Sequence, residues 1–263
     1  MLPLHLIFID RILVDRTVFH ENSIILYALL YRQMTLLKSR FDQVFDRIHK
    51  AEVSCQRQGE VKLLAVSKTK PAELVRQARE FGQRDFGENY LQEALEKISE
   101  LSDIDGLIWH FIGPIQSNKT RDIASHFQWV HSVDRLKVAK RLSDQRPEGL
   151  LPLNICLQVN ISGEDSKSGV NLDELLGLAK SISQLPNVKL RGLMAIPAPA
   201  VDPEQQKVPL RAMKKAFENI NSELNLGLDT LSMGMTNDLE AAIKEGSTMV
   251  RIGTALFGER GRK

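Results

Sequence analysis

Lys68 closes a run of apolar residues, Leu63-Leu64-Ala65-Val66, with the continuous hydrophobicity of a parallel strand covered on both faces. Pro71 suits the first turn of a helix, and Leu74, Val75, Ala78 and Phe81 follow at helical spacing. Lys68 therefore falls between the end of a strand and the start of a helix. Burying an ammonium there is costly unless its chemistry is used. That chemistry is nucleophilic. Free lysine has a pKa of about 10.4, desolvation or a nearby cation lowers it, and the neutral amine attacks an aldehyde.

Two late stretches offer the other end of such a ligand. Ser232-Met233-Gly234-Met235-Thr236 and Arg251-Ile252-Gly253-Thr254 each end an apolar run in glycine with a hydroxyl nearby. Glycine exposes backbone N–H groups, Thr236 and Thr254 add hydroxyls, and a helix beginning at Asn237 would add the positive end of its dipole. Plain turn chemistry would account for the same glycines and threonines. Read as a phosphate clamp opposite a lysine, they point to a phosphorylated aldehyde, and pyridoxal 5′-phosphate (PLP) fits. Its phosphate would sit among Ser232, Gly234, Thr236, Gly253 and Thr254, with its aldehyde carbon held by Lys68 as a Schiff base. Arg251 would face the pyridine nitrogen and keep it unprotonated, leaving the ring a weak electron sink; a structural ion pair is the alternative for this arginine. Asn89 either hydrogen-bonds the cofactor or caps the following helix. His110 lies near the ring or is a satisfied core residue. Lys167 relays PLP to a partner or is a solvated loop lysine, and Lys70 reads as a surface charge. Ser67 has no paired His and Asp, so a hydrolase triad has no support.

These groups need a frame. Residues 34–58 are patterned as an amphipathic helix with Leu37, Phe41, Val44, Phe45, Ile48 and Cys55 on one face and Gly59 at its end. Eight strand-like runs follow, at 61–67, 84–88, 107–113, 128–133, 154–160, 190–196, 228–233 and 249–257. Helical patterns separate them, one placing Leu91, Leu95, Ile98 and Leu101 inward. Asn171 with Glu174, and Asn237 with Glu240, resemble capping boxes. A proline-rich loop (Pro197, Pro199, Pro203, Pro209) follows the sixth run. Eight βα units with no remainder predict a closed (β/α)₈ barrel, an α/β TIM barrel with an extra N-terminal helix. Lys68, Asn89 and the two glycine stretches lie at C-terminal strand ends, the functional face of such a barrel, while His110 and Arg251 lie within their runs. An open doubly wound sheet is the rival, but no run is followed by G-x-G-x-x-G.

Composition narrows the partners. A net charge of +2 over 263 residues gives no case for nucleic acid or an anionic membrane. The two cysteines, Cys55 and Cys156, offer neither a disulfide framework nor metal spacing, and Cys156 sits in a core-like strand. No metal site is expected, and a reducing cytoplasm is the simplest compartment. Residues 1–33 are treated as an N-terminal extension to a single domain at 34–263. Their longest apolar run falls short of the ~20 residues needed to cross a bilayer, and they lack signal-peptide features. They are either a surface helix or a gene-start artefact preceding a true start at Met34.

The motifs Ala65-Val66-Ser67-Lys68-Thr69-Lys70-Pro71, Phe86-Gly87-Glu88-Asn89-Tyr90, residues 109–119, Gly192-Leu193-Met194-Ala195-Ile196-Pro197, Ser232-Met233-Gly234-Met235 and Val250-Arg251-Ile252-Gly253-Thr254-Ala255 resemble the pyridoxal phosphate homeostasis proteins. The likeness covers about residues 34–260. It implies an alanine-racemase N-terminal-domain-like barrel of PLP fold type III, with PLP linked to Lys68. It also implies no established catalytic turnover, but a role in keeping free PLP low and vitamin B6 pools balanced. A monomer that hands PLP to apo PLP-enzymes is the expectation. Two departures stand out: Thr236 occupies a position where the family usually has Ser or Ala, and the family lacks residues like 1–33. The rival is a PLP-dependent racemase or decarboxylase. Racemases of this fold use a second base, a tyrosine from an added β-domain, and the tyrosines here (Tyr27, Tyr31, Tyr90) all come early. A binding module for another sugar or nucleotide phosphate is a third possibility.

Overall fold

The structure, a computed structural model, describes residues 21–163, 168–200 and 202–259. Eight strands run β1 (Lys62–Val66), β2 (Asp85–Glu88), β3 (Ile108–Phe111), β4 (Trp129–Val133), β5 (Leu153–Gln158), β6 (Val188–Met194), β7 (Thr230–Ser232) and β8 (Met249–Ile252). They pair in parallel in chain order, and β8 returns to β1, closing the barrel. Nine helices are described: α1 (Glu21–Ser54), α2 (Ala72–Glu80), α3 (Leu91–Glu100), α4 (Thr120–His126), α5 (Leu136–Asp144), α6 (Leu172–Ile182), α7 (Pro203–Leu224), α8 (Leu239–Lys244) and α9 (Thr254–Phe257). The expected (β/α)₈ architecture is the one observed.

The strands form where apolar runs demand burial on two sides. Leu64, Ala65, Phe86, Val130, Ile155, Leu157 and Val250 have no exposure. Contacts divide the chain after Ser39. From Arg40 onward α1 buries Phe41, Val44, Ile48 and Ala51. The Phe41 ring meets Phe81 at 6.1 Å and Phe257 at 5.9 Å. Phe45, expected on the buried face, is 40% exposed because it falls at the edge of that stripe.

Several local expectations change. Helix α1 begins upstream of Met34 and ends at Ser54, not near Gly59, because Gln56 turns left-handed (φ 57°). The expected capping boxes do not form: α6 has no side-chain cap at Asn171. Helix α8 starts only at Leu239, since Asp238 turns its carboxylate back onto the Met235 N–H (2.6 Å). Pro209 lies inside α7, not in a loop. Pro203 occupies the first turn, and Asp202 caps the helix through the Glu204 N–H (3.1 Å). The last run divides into β8, ending at Ile252, and the short helix α9, which brings Arg251 to within one residue of its strand's end.

Candidate cofactor site at the barrel mouth

The end of β1 is held tightly. Ser67 donates its N–H to the Gly87 carbonyl (3.0 Å), extending the ladder past Val66. The chain then turns, with Lys70 N–H donating to the Ser67 carbonyl (3.1 Å) and Thr69 in the left-handed region at φ 63°. For a β-branched residue that conformation costs about 1–2 kcal/mol. Lys68, half-buried, sits between the fixed Ser67 and the strained Thr69. Lys70 donates to the Glu259 carbonyl (2.6 Å).

Behind this turn lies a charged cluster that the sequence did not reveal. Glu88 has no exposure and Lys97 only 3%. Lys97 Nζ donates to Glu88 Oε1 (2.6 Å), to Glu93 Oε1 (3.2 Å) and to the Ser67 carbonyl (2.9 Å). Ser67 Oγ donates to the same Glu88 oxygen (2.6 Å), and Thr69 N–H donates to Glu93 Oε1 (2.5 Å). Burial pushes the Glu88 carboxyl above its usual range, against the pull of Lys97 and Ser67. The inward face of α3 is thus Ala94 and Lys97 followed by Leu101, while Leu91, Leu95 and Ile98 are half-buried. Apolar periodicity cannot signal an inward lysine whose partner lies on another element.

A second buried network crosses the barrel interior. Arg251 is 5% exposed and donates through Nη1 to the Ser232 carbonyl (2.7 Å) and Oγ (2.9 Å), and through Nη2 to the Ala195 carbonyl (2.9 Å). Ser232 Oγ lies 3.1 Å from His131 Nδ1; His131 Nε2 lies 2.9 Å from His110 Nδ1; His110 Nε2 lies 3.0 Å from Asp85 Oδ1. Burial lowers the basicity of both imidazoles, that of His131 most, and favours their neutral forms; with the Asp85 carboxylate able only to accept, that fixes the direction of the chain. The Ser232 hydroxyl accepts from Arg251 and donates to His131, which donates from Nε2 to His110, which donates from Nε2 to the Asp85 carboxylate. Each neutral imidazole thus accepts at Nδ1 and donates from Nε2. Burial also brings the Arg251 guanidinium down to about 10, so it stays protonated at neutral pH. Ser232, expected among the cofactor-binding residues, is fully buried with its hydroxyl committed to this chain, so it supports Arg251. His110 is a satisfied core residue within the same chain.

The loops after β7 and β8 border a cavity of about 550 Å³, lined by Pro197 to Ala200, Gln206, Met235, Thr236, Asn237, Asp238, Thr254 and Ala255. Gly234 must be glycine: its φ is +96°, and a Cβ would lie 2.5 Å from that of Ala242. Arg47 of α1 pins the Thr236 carbonyl (2.9 Å) while pairing with both Glu240 carboxylate oxygens (2.7 and 2.8 Å). A helix dipole starting at Asn237 is not available, because residues 236–238 form a turn. The β1–β8 register sets Leu64 beside Arg251 and Ala65 beside Ile252, so the Gly253–Thr254 turn leaves the barrel next to Lys68. Closure makes the expected clamp a neighbour of the lysine. Asn89 lines a separate cavity of about 510 Å³ with Asp134, Arg135 and Asn160. It does not cap α3, whose N-cap residue is Tyr90.

Lys167 lies outside the described residues. Among the described residues there is no group of three or more His, Cys, Asp or Glu able to hold a metal, and no helix long and apolar enough to cross a membrane. Cys156 is fully buried, and burial pushes its thiol up to about 12.

A closed parallel barrel with a lysine at the end of its first strand and a buried arginine at the end of its eighth defines the class. The alanine racemase N-terminal domain family matches residues 42–261. The pyridoxal phosphate homeostasis protein of Pseudomonas aeruginosa is 60% identical over 228 residues, covering 86% of this chain and 97% of that protein. Its namesake in Escherichia coli K12 is 53% identical over 221 residues, covering 83% and 94%. The structure of PipY from Synechococcus elongatus with PLP bound superposes with a TM-score of 0.71 at 37% identity, covering 80% of this chain and all of that one. The chain belongs to the pyridoxal phosphate homeostasis proteins, within the alanine racemase N-terminal domain family.

Proposed function

We propose that this protein holds PLP covalently on Lys68 and serves PLP homeostasis, binding and releasing the cofactor without turning over a substrate. The observation that carries the reading is the β1–β8 register, which brings Lys68, the Gly253–Thr254 turn and Arg251 to one edge of the mouth. The residues fit the group. Gly253 leaves room where a Cβ would press to 3.2 Å from the Val66 carbonyl, and Thr236 and Thr254 border a cavity large enough for a phosphate. Asp238 lines the same cavity, but one of its oxygens is turned onto the loop backbone. When bound, PLP supplies an aldehyde that condenses reversibly with an amine.

The chain's own groups divide the work. Lys68 provides the amine. Thr236 and Thr254, with the backbone of Gly234 and Gly253, receive the phosphate. Arg251 stands as a permanent donor toward the ring nitrogen, held by Ser232 and Ala195, and Asn89, just past the end of β2, adds a polar side chain from the neighbouring cavity. The protein would act as a monomer in a reducing cytoplasm, its PLP passing to apo-enzymes. The names of its relatives favour storage over racemisation. Titrating PLP into the purified protein should raise a visible band that Lys68→Ala lacks, and a panel of amino acids should show no α-proton exchange. An unchanged band in Lys68→Ala would remove the site, and exchange with any amino acid would turn the reading to an enzyme.

A further inference from the structure

We propose that Glu88, Glu93 and Lys97 form a positioning unit that presents Lys68 for capture of the cofactor aldehyde. The inference rests on Lys68 being the attachment point. On the N-terminal side, Ser67 is held at two atoms: its hydroxyl donates to Glu88 and its carbonyl accepts from Lys97. On the C-terminal side, Thr69 is held by its N–H on Glu93. Lys97 joins the two sides, donating to Glu88 and Glu93 together.

The hold has something to oppose. Thr69 is one of three described non-glycine residues with positive φ, and the only β-branched one. Strain of this kind persists where surrounding structure over-determines it, and it clusters at functional sites. Without the Glu93 acceptor, Thr69 would relax toward negative φ. The chain would then leave β1 in another direction and carry the Lys68 stem with it. The placement of the ion pair fits this role. A buried Glu–Lys pair is a poor source of stability compared with apolar residues of similar volume, and Glu88 retains a buried oxygen, Oε2, with no hydrogen-bond partner. Its geometry is spent on the backbone flanking Lys68. Capture needs the amine in line with an aldehyde whose phosphate is anchored elsewhere, so small displacements of the stem are costly in rate.

The test uses the full-length protein with two readouts. One is the rate constant for PLP uptake, followed by its visible band. The other is amide hydrogen exchange at Thr69 and Lys70 without PLP. Glu93 is partly exposed (32% side-chain exposure), so Glu93→Ala leaves the barrel folded. It should slow uptake roughly ten- to a hundredfold and speed exchange at both amides. Glu93→Gln, which keeps the acceptor, should restore most of both. Thr69→Gly accepts the left-handed turn unaided, so adding Glu93→Ala to it should slow uptake far less. Lys97→Met should reproduce Glu93→Ala if it folds; if it does not, the Glu93 and Thr69 variants decide alone. Wild-type uptake and exchange in Glu93→Ala would overturn the proposal, as would equal losses in both Thr69 backgrounds. A wild-type protein that takes up no PLP at Lys68 would instead overturn the attachment site, and the exchange readout would still decide the positioning role.

Discussion

Two buried polar networks back the barrel mouth, and they are of opposite kind. The one behind β1 is charged: Lys97 joins Glu88 and Glu93, and together they hold main-chain atoms on either side of Lys68. The one inside the barrel is a neutral relay between two charged ends. It runs from Arg251 through Ser232, His131 and His110 to Asp85, and it holds a side chain. A nucleophile on a turn must be placed through its backbone, where charged partners hold most strongly. A cation facing a ring nitrogen must keep its proton. Neutral imidazoles serve there because a buried imidazolium would repel it.

The contrast predicts unequal costs. Lys97→Met strands the Glu88 carboxylate without its counter-charge and should destabilise the fold by about 3–5 kcal/mol in urea denaturation. A loss under 1 kcal/mol would mean that the pair is not ionised. His131→Phe breaks the neutral relay and leaves single hydrogen-bond partners behind, so its cost should be smaller, about 1–3 kcal/mol.

Acid should separate the networks by sign. The native histidines resist protonation, whereas in the unfolded chain they take protons as pH falls through 6.5. The unfolded state then binds more protons, and stability drops by up to about 1.4 kcal/mol per pH unit for each histidine. Glu88 works the other way. Its native pKa is raised above 4.5, so the native state holds its proton more readily and gains stability as pH falls through that raised value. Between pH 7.5 and 5.5 the histidines should dominate and His131→Phe should flatten the profile, while Glu88→Gln should remove the opposing gain wherever the native carboxyl takes up its proton. The smallest effect should come from Arg47→Ala. It frees the Thr236 carbonyl from a part-exposed ion pair, costs about 1 kcal/mol or less and weakens PLP binding a few-fold, as read by titration.

These networks also mark the boundary of what the sequence discloses. The barrel was legible because eight apolar runs alternate with helical periods. Lys68 was legible because a lysine at the end of such a run is out of place. Arg251 stood out in the same way. Their supports did not, since contacts between residues far apart in the chain leave no local pattern: Ser232 and His131 are 101 residues apart, and Arg47 and Glu240 are 193 apart. Lys97 carries no local mark in the sequence, and it is the contact with Glu88 of β2 that goes with its inward placement. The misplaced helix start at Asn237 has a local cause: Asp238 competes for the Met235 N–H, delaying α8 to Leu239.

The central claim is that one lysine, held at the end of β1, carries the cofactor. Loading the protein with PLP, reducing it with borohydride and mapping the modified peptide by mass spectrometry tests it most directly. The expected result is a single pyridoxyl group on Lys68 and none in Lys68→Ala. Stoichiometric label on Lys70 or any other lysine, with Lys68 unmodified, would contradict it.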